Sequence, residues 1–60
     1  LNSPADIAGA QYNLGLLDKA AKRNDRARTS LLEARGIAQS VDATNIISNA
    51  DAALAELGAA

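Results

Sequence analysis

The sequence predicts an all-α fold in which a helical hairpin packs against a third helix. About a quarter of the chain is alanine, the residue that most favours helix. Apolar residues also recur at three- and four-residue steps along three segments, as they do on one face of a helix. The single proline lies near the start of the chain, where it does not interrupt these segments. We therefore expect residues 1–60 to form one all-α unit.

The first helix is predicted over residues 4–23. Ser3 can serve as its N-cap, Pro4 suits the first helical position, and Asp6 completes a capping box with Ser3. The apolar stripe of this helix is Ile7, Ala10, Leu14, Leu17 and Ala21. We expect this stripe to face the core.

The second and third helices are predicted over residues 25–40 and 43–57. Their stripes are Ala27, Leu31, Ala34, Ala38 and Val41, then Ala43, Ile47, Ala50, Leu54 and Leu57. The third stripe is offset from the second by two residues, or about 200° of helix, so one straight helix cannot keep both on one face. We therefore predict a turn at Ser40–Asp42, with Asp42 as the N-cap of the third helix.

The junction between the first two helices has two interpretations. Basic residues around position 22 suit a helix C-terminus, and Asn24 or Asp25 could cap the next helix. However, heptad-like spacing runs through the same point without Gly or Pro, through Ala20, Asn24, Ala27 and Leu31. A continuous helix over residues 4–40 is therefore an alternative to the hairpin.

Gly15 lies inside the first helix, where glycine costs roughly 0.5–1 kcal/mol relative to alanine. We expect a neighbouring helix to come close at this point and to offset that cost. The alanines of the second stripe provide a small surface for such an approach. The predicted helix-packing residues are Leu14, Gly15, Ala27, Leu31 and Ala34.

The spacing of these residues resembles the tetratricopeptide repeat. In that family a leucine precedes the first-helix glycine, and small, large and small residues follow the glycine by 12, 16 and 19 positions, as in this chain. The run from Ala10 to Leu17 is also similar to the opening of Sel1-like units. The resemblance covers about residues 8–41, and the pattern departs from the family at Asp18, Lys22 and Gln39. It implies helix-turn-helix units that stack in arrays and bind other proteins.

A second resemblance implies a different class of protein. The segment from Leu1 to Gly9 is similar to the residues that lead into the long helices of flagellins and related axial proteins. The segment from Arg23 to Arg28 is similar to a polar stretch further along those helices, although the separation is shorter here. This resemblance accompanies the continuous first helix and implies a structural subunit of a helical filament.

Composition argues against catalysis. The chain has no His and no Cys, so the usual general base and the thiol nucleophile are missing. The seven acidic residues are scattered, without the alternation of a calcium loop. We expect no enzymatic activity, no metal site, no cofactor and no small-molecule substrate. Because there is no Cys, the sequence leaves the cellular compartment open.

Five of the six cations lie within ten residues, from Lys19 to Arg28. On a continuous helix four of them would share a face and attract an acidic partner, whereas in a solvated turn they would pair with Asp18 and Asp25. A net charge of −1 and the lack of interleaved aromatics argue against nucleic acid. The candidate partner-contact residues are Gln11, Tyr12, Asn13, Lys19, Lys22, Arg23 and Arg26.

The sequence thus predicts a protein–protein interaction module of stacked amphipathic helices, with a filament subunit as the alternative. Its partner would be another protein or neighbouring copies of itself, and no apolar run reaches the ~18–20 residues of a membrane span. The core-forming residues are few for a chain of 60. Because the chain also begins at Leu1 rather than Met, we expect it to be processed or to be part of a larger array or assembly.

Overall fold

Three α-helices form the fold. The structure is a computed structural model that describes residues 3–59. Helix α1 spans Pro4–Ala20, α2 spans Asn24–Ser40 and α3 spans Thr44–Ala59, with no strand in the described chain. Helix α2 packs most extensively on α1, and α3 packs mainly on α2. The predicted all-α hairpin with a third packed helix is therefore confirmed.

The start of α1 is held by the capping box that the sequence predicts. The backbone N–H of Asp6 donates to Ser3 Oγ at 3.2 Å, and the backbone N–H of Ser3 donates to Asp6 Oδ2 at 3.3 Å. Pro4 occupies the first turn, where its missing N–H leaves no helical bond unmade.

The α1–α2 turn ends α1 at Ala20. Lys22 has a left-handed backbone with φ of 66°. The N–H of Lys22 donates to the carbonyl of Lys19, and the N–H of Arg23 donates to that of Asp18 at 2.8 Å. These are the two bonds of a Schellman motif, which satisfies the last carbonyls of a helix. The continuous helix over residues 4–40 is therefore wrong, and α1 stops three residues before the expected end.

The start of α2 also differs from the expected one. Arg23 is the N-cap residue, and its side chain makes no capping hydrogen bond. Asn24 and Asp25 are already inside the first turn of α2, so neither acts as the cap. The reason is the left-handed residue at position 22, which reverses the chain early enough for the helix to begin at Asn24.

The α2–α3 turn repeats the first one. The N–H of Ala43 donates to the carbonyl of Ala38 at 2.9 Å, and Asp42 adopts φ of 55°. The predicted turn at Ser40–Asp42 is confirmed. The predicted role of Asp42 as the N-cap of α3 is wrong, because its left-handed backbone places it in the C-terminal motif of α2.

The core is built on the alanine-rich face of α2. Its buried members from all three helices are Ala8, Ala27, Leu31, Ala34, Ala38, Ala50, Ala53 and Leu57. Val41, the last residue of the predicted second stripe, remains 39% exposed because the helix has already ended. Small side chains on α2 allow both neighbouring helices to approach it closely.

Helix α1 is rotated relative to the orientation that its apolar stripe predicts. Ala8 and Gly15 are its buried residues, whereas Ile7, Leu14 and Leu17 are 42%, 51% and 67% exposed. Successive helical residues lie about 100° apart, so a helix that turns Gly15 inward must turn Leu14 and Leu17 away. The expectation that this stripe faces the core is therefore wrong.

Two ion pairs link α3 to the hairpin. Lys19 Nζ lies 2.5 Å from Glu56 Oε2, and Arg35 Nε lies 2.5 Å from Asp51 Oδ1. The first pair joins the ends of α1 and α3, so these two helices run in the same direction with α2 antiparallel between them. Because the charged groups are substantially exposed, each pair contributes at most about 1 kcal/mol and mainly fixes the position of α3.

We expect Lys22→Gly to stabilise the protein. A non-glycine residue in the left-handed region costs of order 1 kcal/mol, and glycine removes that cost. Glycine also increases the entropy of the unfolded chain, so the net gain should be about 0.5 kcal/mol. Chemical denaturation followed by circular dichroism measures it. The control is Lys22→Ala, which removes the same charge and retains the strain; equal stability of the two variants would contradict this account.

Candidate functional site

Helices α1 and α2 approach each other closely at Gly15. A Cβ atom placed on Gly15 would lie 2.7 Å from Cγ and 2.8 Å from Cδ2 of Leu31, and 3.4 Å from the carbonyl oxygen of Ala27. Leu31 is fully buried, and its Cγ, the branch point of the side chain, would have to shift to make room. The close approach of α1 and α2 therefore requires the absence of a side chain at position 15.

The other predicted packing residues divide into two groups. Ala27 and Ala34 are fully buried on the same face of α2 as Leu31. Leu14 lies outside the contact and is half exposed. It precedes Gly15 by one residue and so points about 100° away from α2, which the sequence pattern alone did not reveal.

A cluster around Leu31 connects all three helices. Ala27, Leu31, Ala53 and Leu57 form its buried centre. Tyr12, Leu16 and Leu54 pack against it and are partly buried. Sequence reasoning placed Leu16 on none of the three stripes, although Leu16 is one of the few large apolar residues able to form a core.

Three of the candidate contact residues do not share a surface: Gln11, Tyr12 and Asn13. Tyr12 packs on the core cluster, Gln11 is half-buried and Asn13 is exposed. Three consecutive helical residues span about 200°, so they cannot all face one partner. The structure therefore places them on different sides of α1.

The four candidate cations are also dispersed. Lys19 is paired with Glu56, and Arg23 Nη1 lies 3.1 Å from Asp18 Oδ1. Lys22 and Arg26 are exposed, but the turn places them on different elements. The shared basic face would have required a continuous helix, so that expectation is wrong. The arrangement matches the alternative of a solvated turn with Asp18 as an internal partner.

A shallow cleft lies beside the α1–α2 turn. It has a volume of about 330 Å³ and is lined by Asp18, Asp25, Arg26, Thr29 and Ser30. The Thr29 hydroxyl donates to the backbone carbonyl of Asp25 at 3.1 Å. The cleft is wide open and is lined only by residues with polar or charged side chains, unlike the concave sites that enclose small ligands. We find in it no arrangement that defines a ligand.

Two further observations concern residues 3–59. They contain no group of three His, Cys, Asp or Glu side chains placed to hold a metal ion. None of the helices in this range combines the length and the apolar character needed to cross a membrane.

The most distinctive surface of the protein is an exposed patch on α1. We call Ile7, Ala10, Leu14 and Leu17 the α1 apolar face. Its three large residues are among the most exposed hydrophobic side chains in the described part of the chain, and Ala10 is exposed between them. Sequence analysis identified this stripe correctly but assigned it to the core. It is instead a solvent-facing surface of four apolar residues along one helix.

Comparisons with known proteins returned no relative. The chain matches no protein-family model, and searches of curated proteins and of solved structures gave no match.

We expect Gly15→Ala to destabilise the protein by about 1–3 kcal/mol. The added Cβ would overlap Leu31, and this overpacking outweighs the gain in helix propensity. Denaturant unfolding of purified variants measures the change.

Gly9→Ala is the matched control, because Gly9 lies in the same helix and an added Cβ there meets nothing within 4 Å. It should stabilise by about 0.5–1 kcal/mol. If both variants are stabilised equally, Gly15 is not the close-contact residue.

Proposed function

We propose that this chain is a non-enzymatic protein–protein interaction module built from stacked amphipathic helices. Its interaction surface is the α1 apolar face. The observation that carries this proposal is that a chain with very few large apolar residues leaves three of them, Ile7, Leu14 and Leu17, 42–67% exposed along one helix. Contiguous exposed apolar patches on small proteins mark binding surfaces for other proteins.

The energetics favour covering this face. Burial of apolar surface contributes roughly 25 cal/mol per Å², and full burial of a leucine or isoleucine side chain about 1.5–3 kcal/mol. Inside the chain, only Leu31 is a large side chain with no exposure at all in the described residues. Docking of a partner helix on the α1 apolar face would therefore add a substantial fraction of the burial that the hairpin achieves alone.

The resemblance to tetratricopeptide repeats supports the same function. Four residues carry this resemblance: Gly15, Ala27, Leu31 and Ala34. Gly15 lies where α1 and α2 approach each other, and the other three are fully buried on α2. One departure is the distance from the start of α1 to the start of α3, which is 40 residues here and about 34 in that family. The resemblance therefore supports stacked helical hairpins in general.

The titratable groups support a non-catalytic role. Asp18, Asp51 and Glu56 each lie against a cation, and Asp6 accepts a bond at the start of α1. These acids are thus occupied by structural interactions. Together with the lack of His and Cys in the sequence, this supports binding rather than catalysis.

The filament alternative has less support. It depended on a single helix through Lys22–Asp25, and the chain turns at that point. Without that helix, the long heptad-like seam of an axial protein is missing from residues 4–40.

Sedimentation equilibrium over a dilution series tests the proposal. We expect weak, concentration-dependent association of the isolated chain, because the α1 apolar face has only four residues, whereas stable interfaces use about 20–30 residues a side. Leu14→Gln combined with Leu17→Gln should abolish association and retain the helical circular dichroism.

The matched comparison is between two single substitutions, Leu32→Gln and Leu14→Gln, because Leu32 is 50% exposed and Leu14 is 51% exposed. Leu32 lies on α2, outside the α1 apolar face, so its replacement should leave association unchanged. A chain that is monomeric at every concentration and melts cooperatively would be a self-sufficient domain, and the proposal would lose its support.

A further inference from the structure

The apolar faces of α1 and α3 repeat each other at a distance of 40 residues. The two helices begin 40 residues apart, at Pro4 and Thr44. At this offset the identical pairs within the two helices are Ile7 and Ile47, Ala10 and Ala50, Leu14 and Leu54, and Leu17 and Leu57. Other aligned positions of α1 and α3 differ in residue type. Identity is thus confined to one face of each helix.

The two copies of this face differ in what covers them. On α3, Ala50 is 0% exposed, Leu57 is 7% exposed, and Leu54 packs on the core cluster that includes Leu31 of α2. On α1, Leu14 and Leu17 are largely exposed. Three of the four α3 residues, Ala50, Leu54 and Leu57, are therefore covered, whereas their counterparts on α1 face solvent.

We propose that the α1 apolar face binds a helix of the α2 type, the second helix of another hairpin unit. Such a helix presents small alanines around one buried leucine, as α2 does with Ala27, Leu31 and Ala34. This inference rests on the proposed interaction function and specifies the partner of the same surface. Its basis is continuity with an interface already present, because α3 buries Ala50 and Leu57, and partly buries Leu54, of the same pattern in the core centred on α2.

The ion pair that links α3 to α2 has no counterpart on α1. On α3, Asp51 pairs with Arg35 of α2, and the residue of α1 at the same offset is Gln11. The partner helix therefore needs no arginine at that place. A second intact copy of this chain fits less well, since α3 already covers the relevant face of its α2.

The test is a tandem chain in which residues 1–40 are joined directly to the complete 60-residue sequence. The second helix of the first unit is then available to cover the α1 apolar face of the second unit. Leu17→Gln in the second unit should lower the midpoint of thermal unfolding by at least about 8 °C. The same substitution in the first unit, where nothing covers it, should lower it by less than about 4 °C.

Thiol labelling gives a second measurement, which remains informative when the substitution changes the stability of the protein. The chain has no native cysteine, so Leu17→Cys can be placed in either unit of the tandem as a single reactive group. Under native conditions a soluble maleimide should label the second-unit thiol about tenfold more slowly than the first-unit thiol. The single 60-residue chain with Leu17→Cys should label at the fast rate.

Equal midpoint shifts and equal labelling rates in the two units would overturn the inference. If the isolated chain nevertheless associates through the α1 apolar face, the proposed interaction function stands and its partner is of another kind. If that association is also absent, both proposals fail. A tandem with unequal labelling and a higher midpoint than the 60-residue chain supports the inference.

Discussion

Leu31 occupies the space that a side chain at position 15 would need, and the arrangement of all three helices follows from this contact. Because Leu31 is fully buried, it holds α1 at a distance that only glycine permits. On its other side the same leucine packs with Ala53 and Leu57, so it also sets the position of α3. The helical cost of glycine, about 0.5–1 kcal/mol, is offset by the burial that this close approach makes possible.

The two connections add a geometric constraint. Both turns have a left-handed residue followed by the same closing hydrogen bond to the preceding helix, so both reverse the chain in the same way. Helices α1 and α2 each have 17 residues and each is followed by a three-residue connection, which together make the 40-residue offset between α1 and α3. Neither left-handed position is glycine, and each turn therefore contains strain that the packed helices must offset.

The distribution of large apolar residues links the fold to the proposed interaction. A helix with alanines on its inner face can be approached closely on two sides, and α2 receives α1 on one side and α3 on the other. Helix α1 has apolar residues both toward α2 and away from it, and the three-helix chain covers only the first set. The remaining surface has the residue pattern of the α3 face that packs on α2, which is why it is best explained as a place for one more helix of that kind.

The sequence by itself determined the helical class, the capping box at Ser3, the turn at Ser40–Asp42 and the close approach at Gly15, because each depends on local hydrogen bonding, steric fit or the helical period. Tertiary structure decided which side of α1 faces the core. Two sides of α1 have helical spacing: the leucine stripe and the side containing Gly15. A prediction from periodicity takes the side with the larger side chains as the buried one. The position of Leu31 on the neighbouring helix goes with the glycine side, because a Cβ at position 15 would lie 2.7 Å from the Cγ of that leucine. The same choice exposes the stripe, so the surface that carries the proposed function became visible only once the helices were packed.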